Sequence, residues 1–112
     1  MAFQILAYAT SLVSLERFEE AKSLLRRTMP VARRVLGENN DLTIRLRQTY
    51  AKSLYEDDAA TLNDLREAVT MLVETARTAR RVLGGAHPLV PDIEHDLRNA
   101  RAVLRTNEET QP

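Results

Sequence analysis

The chain has 112 residues, which is enough for one small domain. Hydrophobic residues make up 44% of it but aromatic residues only 4%, so the core must be aliphatic, which favours helices over an aromatic-rich sandwich. Sixteen basic and sixteen acidic residues give a formal net charge of zero, so no overall field attracts nucleic acid or membrane. The lack of cysteine excludes disulfides and thiolate metal sites, and three glycines leave no room for a glycine-rich phosphate loop.

The first fifteen residues carry no charge and predict a helix over about Phe3 to Leu15 that is apolar around its whole circumference. A membrane-spanning helix needs roughly 20 apolar residues, and this segment is shorter and contains polar residues. A secretory signal requires a positively charged residue before its apolar segment, and no lysine or arginine precedes Arg17. We therefore expect a buried helix in a cytoplasmic protein.

Apolar residues at three-to-four spacing predict a second helix from about Phe18 to Leu36, with acidic residues in its first turn and arginines in its last. Pro30 lies inside this segment, so we expect a kink or break near Met29. A third helix is predicted over about Asp41 to Tyr55. Either Asn40 or Asp41 is placed to cap its free amides.

Thr61 and Asp64 form a capping-box pair at the start of a fourth helix, which we expect to reach about Leu83 and to end at Gly84-Gly85. A last helix is predicted to begin near Val90 or Pro91, after an extended His87-Pro88. One apolar stripe runs along it, formed by Ile93, Leu97, Ala100 and Leu104. The residues from 106 to 112 lack periodicity and are predicted to be a disordered tail.

Two short patterns recur along the chain. Arg-Arg-Val-Leu-Gly occurs at 33–37 and at 80–84, and Tyr-Ala followed by Leu occurs at 8–12 and at 50–54. The two spacings, 47 and 42 residues, differ by an insertion of five residues that we place near 57–61. An internal period in the forties built from helical segments predicts helix pairs that stack into a solenoid.

These residues resemble a tetratricopeptide repeat protein, and within that class the repeats of kinesin light chains. The resemblance rests on Leu83-Gly84 with His87-Pro88, on the Tyr-Ala pairs at 8–9 and 50–51, and on Phe18-Glu19-Glu20-Ala21. In the first linker, Asn40-Asp41 replaces the His-Pro pair of that pattern. The resemblance implies an all-α fold of about five helices, stacked as antiparallel pairs in a short right-handed solenoid.

The expected repeat domain covers residues 1–105. It contains a first helix pair at 3–36, a second pair at 41–83 with the insertion near 57–61, and a capping helix at 90–105, followed by the disordered tail at 106–112.

The resemblance also implies a concave groove lined by the first helix of each pair. Its expected partner-binding residues are Arg45, Gln48, Thr49, Lys52, Tyr55, His95 and Asn99. Gln48, Lys52, His95 and Asn99 offer donors to a peptide backbone or an acidic side chain. The function implied is a non-catalytic scaffold that binds a peptide or partner protein in this groove. The alternative for these positions is that they are ordinary solvated residues.

Two other functions remain open. The apolar first helix has a face without a neighbour, which indicates either preceding repeats of a longer chain or a homodimer formed through Phe3, Leu6, Leu12 and Val13. A nucleic-acid binder is the less favoured alternative, because the chain has no net positive charge and few aromatics for base stacking. Its candidate residues are the cations of the second helix, Lys22, Arg26, Arg27, Arg33 and Arg34.

Catalysis and metal binding are not expected. The sequence contains no nucleotide motif and no Ser-His-Asp pattern. His87 and His95, with Asp92, Glu94 and Asp96, suggest a metal site at first sight. However, His87 matches the repeat pattern, and the other residues fall on the polar face of the terminal helix. We therefore predict no enzyme activity, no cofactor and no metal.

Overall fold

A computed structural model describes residues 2–110 as five α-helices without any strand in that range. The helices are α1 (Ala2–Ser14), α2 (Phe18–Val35), α3 (Asp41–Tyr55), α4 (Leu62–Leu83) and α5 (Leu89–Thr110). The predicted all-α class with five helices is confirmed, and the architecture is that of a short helical-repeat solenoid. No helix between residues 2 and 110 is long and apolar enough to span a bilayer.

The helices pack in the order of a repeat stack. Each helix contacts the next one along the chain, and α3 additionally packs against α1 and α5. The helices α1, α3 and α5 therefore form one layer, and α2 and α4 lie on its other side. Because α3 contacts all four other helices, its side chains are the most buried of any helix, including Ile44, Leu46, Ala51 and Leu54.

Several helix ends follow the local sequence. The Asn40 side chain accepts a hydrogen bond of 2.8 Å from the Leu42 amide, so Asn40 is the N-cap of α3. Thr61 and Asp64 form the predicted capping box at the start of α4, with both reciprocal hydrogen bonds at 3.1 Å. These caps satisfy amides that the helix itself leaves free.

The expected break near Met29 is absent, because α2 continues through Pro30 from Phe18 to Val35. Pro30 lies on the exposed side of the helix, so the carbonyl group that its missing N–H leaves free can bond to water. Met29 and Ala32, on the opposite side, are buried in the core. Their packing holds the helix together across the proline.

The last helix is longer than predicted at both ends. It begins at Leu89, where His87 Nδ1 accepts a hydrogen bond of 3.1 Å from the Leu89 amide, and it continues to Thr110. The predicted disordered tail is therefore wrong for residues 106–110, while residues 111 and 112 lie outside the described part. Contacts beyond the apolar stripe extend the helix: Asn107 Nδ2 donates to the Val103 carbonyl at 2.8 Å, and Arg66 forms an ion pair with Glu108 at 3.4 Å.

Candidate interaction groove

A groove lies along the layer formed by α1, α3 and α5. Its first part is a cavity of about 290 Å³. The side chains of α1 that line it are Leu6, Thr10, Val13 and Ser14, those of α3 are Arg45, Gln48, Thr49 and Lys52, and Glu56 and Asp92 complete it. The groove thus combines an apolar wall from α1 with polar side chains from α3 and α5.

A second cavity, of about 390 Å³, continues the groove toward the loop between α3 and α4. Glu56 lines both cavities and joins them. The other residues of the second cavity are Tyr55, Asp57, Asp58, Ala60, Leu65, Asn99, Val103 and Asn107. The two cavities together are large enough for several side chains of an extended peptide.

Hydrogen bonds between α3 and α5 determine which groups of the groove are free. Gln48 Nε2 donates to Asp92 Oδ2 at 2.7 Å and to Asp96 Oδ2 at 2.8 Å. Tyr55 Oη donates to Asp96 Oδ1 at 2.7 Å. Asp96 is only 4% exposed, and a buried carboxylate is costly without donors, so these bonds stabilise the position of α5 against α3. Burial, together with the hydrogen bond to Asp96, raises the pKa of Tyr55, so its hydroxyl remains a donor.

The charged side chains of the first cavity differ in their partners. Arg45 Nε contacts Asp41 Oδ2 at 3.1 Å, whereas Lys52 forms no ion pair with any described residue. Burial raises the pKa of Glu56, and the nearby Lys52 ammonium acts in the opposite direction. Lys52 is therefore the charged donor most available to a ligand in this cavity.

The structure brings together most of the groove residues expected from the sequence. Arg45, Gln48, Thr49 and Lys52 line the first cavity, and Tyr55 and Asn99 line the second. His95 lines neither, although its Nε2 lies 3.2 Å from Asn99 Nδ2. The expectation that Gln48 offers a donor to a partner is wrong, because both amide hydrogens are engaged by Asp92 and Asp96.

The repeat pattern implied that α1 lines the groove, but none of the α1 residues that do so was predicted from the sequence as a groove residue. Leu6, Thr10 and Ser14 are spaced four residues apart and so share one face of the helix, which is a signal that was available. Only the packing of α1 on α3 shows that this face lies beside Lys52 and Gln48.

The residues expected to mediate self-association have different environments. Leu12 is 2% exposed, and it packs with Val13, Phe18 and Ala21 in a small core of its own. The prediction that Leu12 and Val13 belong to an exposed interface is therefore wrong. Leu6 is half-buried beside the groove, and Phe3 alone of the four is largely exposed, at 69%.

The cations of α2 do not form a continuous basic surface. Lys22 is buried, with its Nζ 2.8 Å from Glu19 and 3.5 Å from Asp57. Arg33 Nε lies 3.0 Å from Glu38 Oε1, and Arg26 Nε donates to Tyr50 Oη at 3.0 Å. The other two of these five cations, Arg27 and Arg34, form no ion pair within residues 2–110. Arg27 Nε donates only to the backbone carbonyl of Ser23, at 3.3 Å. Acidic partners therefore neutralise two of the five cations, Lys22 and Arg33, which reduces the positive charge available to a nucleic-acid surface.

The two histidines lie in separate hydrogen-bonding environments, His87 beside the Leu89 amide and His95 beside Asn99. No group of three His, Asp or Glu side chains in the described part of the chain is arranged to hold a metal ion.

A family model described as a tetratricopeptide repeat matches residues 9–41 and 58–89, which together are more than half of the chain. Each matched segment contains one complete helix, α2 or α4, and the first segment also covers the last part of α1, from residue 9 to residue 14. Comparisons with curated proteins and with solved structures give no match.

Proposed function

The chain belongs to the tetratricopeptide repeat family, and we propose that it is a non-catalytic module that binds a peptide or partner protein in the groove between α1, α3 and α5. Repeats of this family generally mediate protein–protein interaction and are typically non-catalytic. The observation that carries the proposal is the groove itself, which runs along the first helices of the successive pairs.

The chemistry of the groove supports an extended peptide as its ligand. Leu6 and Val13 provide an apolar wall for a side chain, and the half-buried Lys52 provides a cationic donor for a carboxylate or a backbone carbonyl. Because Gln48 is engaged by Asp92 and Asp96, the specificity of the first cavity depends on Lys52 more than on the Gln48 amide.

Three finer expectations belong to the same proposal. The Leu83-Gly84 and His87-Pro88 pairs support repeats like those of kinesin light chains. We place α5 as the capping helix of the repeat domain, since its outward face carries exposed polar residues such as Arg98 and Arg101. We also propose that the protein is located in the cytoplasm.

Self-association through α1 is the second candidate function, and the exposure of Phe3 is the observation that favours it. The burial of Leu12 and Val13 weighs against it. Light scattering over a concentration series tests this candidate: a dimer lost on Phe3→Glu supports it, and a monomer at all concentrations rejects it.

The groove is tested by selecting peptides from a random library on the immobilised protein and measuring their affinity by titration calorimetry. We expect Lys52→Glu to weaken a selected acidic peptide about tenfold, because a favourable charge becomes a repulsive one. Arg101→Glu is the matched control, since Arg101 is an exposed arginine that lines neither cavity of the groove. If the selected peptides bind both variants and the original protein equally well, the groove is not the binding site.

A further inference from the structure

Exposed apolar side chains gather on the outer side of the first helix pair, away from the groove. Six large apolar residues of the described chain are exposed, and four of them, Phe3, Tyr8, Val31 and Val35, line two cavities between α1 and α2. The cavities measure about 440 Å³ and about 330 Å³ and follow one another along α2. We call this surface, defined by these four residues, the α1–α2 face.

The larger cavity of the α1–α2 face is lined by apolar side chains with the single exception of Thr28. Besides Phe3, Val31 and Val35, its lining residues are Ile5, Thr28, Ala32, Leu36 and Leu42. The hydroxyl of Thr28 already donates to the Leu24 carbonyl at 2.7 Å, so no side-chain donor of the cavity is left for a polar ligand. Such a lining favours aliphatic or aromatic side chains as the occupant.

Free positive charge borders the α1–α2 face on α2. Arg27 and Arg34 lie four and three residues from Val31, which places them on the same side of the helix. Both are exposed, and neither forms an ion pair with any residue from 2 to 110. At the other end of the face, two glutamates line the smaller cavity, and both are paired: Glu20 with Arg17 at 2.7 Å and Glu19 with Lys22 at 2.8 Å. The uncompensated charge at the edge is therefore positive.

We propose that the α1–α2 face docks an amphipathic helix of a partner protein, with apolar side chains in the two cavities and acidic side chains against Arg27 and Arg34. The sixteen residues of α2 from Glu20 to Val35 extend about 24 Å, so a partner helix of about 16 residues covers the face. A second copy of this chain fits less well, because its own Arg27 and Arg34 would enter the same interface and repel. This site is separate from the groove and does not depend on it.

The probe is a synthetic helical peptide of about 18 residues with leucines on one side and flanking glutamates, compared with the same peptide carrying lysines in place of the glutamates. Fluorescence anisotropy measures their affinities. We expect the glutamate peptide to bind at least about tenfold more tightly than the lysine peptide, and the double variant Arg27→Glu/Arg34→Glu to reverse this preference. Val35→Asp should weaken both peptides, because Val35 is 70% exposed at the cavity and its replacement introduces a charge there.

Two controls separate this site from the groove. Arg101→Glu and Lys52→Glu should each leave the affinity of the glutamate peptide unchanged, since neither residue lines the α1–α2 cavities. Circular dichroism checks the fold of every variant. The affinity of the original protein should also fall as salt is raised, which tests the charge contribution without any substitution.

Equal binding of the two peptides to the original protein would overturn the proposal, and so would affinity that is insensitive to salt. A dimer in light scattering that Val35→Asp dissociates would also overturn it, because a second copy would then occupy the face.

Discussion

The substitution Tyr55→Phe removes one hydroxyl from the hydrogen bonds that join α3 to α5. Tyr55 Oη donates to Asp96 Oδ1 at 2.7 Å, and both side chains are buried. Phenylalanine keeps the ring and its apolar contacts, so the loss is confined to the hydrogen bond. The Asp96 carboxylate retains its other donor, Gln48 Nε2, at 2.8 Å.

A buried hydrogen bond to a charged group contributes about 1.5–3 kcal/mol, and we expect Tyr55→Phe to lower the free energy of unfolding by about 2 kcal/mol. For 112 residues, an unfolding entropy of about 2.1 cal/mol/K per residue converts this loss into a decrease in Tm of about 8 °C. Loosening α5 should also weaken peptide binding in the groove, because Asp92 and Asn99 on α5 line its two cavities.

Urea denaturation followed by circular dichroism measures the loss. Tyr8→Phe is the matched control, because Tyr8 is 55% exposed and its hydroxyl has no partner among the described residues. The control should change stability by less than about 0.5 kcal/mol. If Tyr55→Phe is no more destabilising than Tyr8→Phe, the Tyr55–Asp96 hydrogen bond does not stabilise the α3–α5 contact and the reasoning is refuted.

Three further predictions concern helix ends and the groove, each measured by urea denaturation. Glu16→Gly should stabilise the protein by about 0.5–1 kcal/mol, since Glu16 has a φ of 60° in the turn that ends α1, where glycine is unstrained. Thr61→Ala should destabilise it by about 1 kcal/mol through loss of the α4 cap. Glu56→Gln should stabilise the protein at pH 7 and leave its stability unchanged at about pH 3.5. Burial raises the pKa of Glu56, so folding disfavours the charged carboxylate. This cost appears as the pH rises above the ordinary glutamate pKa of about 4.3, and glutamine does not incur it.

Each of these predictions has its own contrary result. Glu16→Ala keeps a β-carbon, so a gain equal to that of Glu16→Gly would mean that charge and not backbone strain is relieved. An unchanged midpoint for Thr61→Ala would mean that water replaces the cap at no cost. If Glu56→Gln has the same effect at both pH values, burial does not disfavour the Glu56 carboxylate.

The all-α class and most of the helix boundaries could be predicted from local sequence patterns. The Thr61–Asp64 pair caps α4 as predicted, and Asn40, one of the two residues predicted as possible caps, caps α3. These features depend on residues within one or two turns of each other, because caps and helical periodicity are local interactions. The repeated Tyr-Ala and Arg-Arg-Val-Leu-Gly patterns indicated a helical repeat for the same reason, since each copy forms the same local unit.

The groove could be predicted only in part. Arg45, Thr49 and Lys52 are brought to one cavity as the repeat pattern implied, because they follow the face of a single helix. That Gln48 is not free is decided by Asp92 and Asp96, more than forty residues further along the chain. No periodicity in α3 contains that information.

Tertiary packing decided the remaining features. The buried Met29 keeps α2 continuous through Pro30, and contacts with α4 accompany the extension of α5 to Thr110. The packing of α1 on α2 buries Leu12 but leaves Phe3 exposed, although both belong to the same uncharged segment. A helix that is apolar on all sides does not indicate which side meets a neighbour, because that choice depends on contacts between residues distant in sequence.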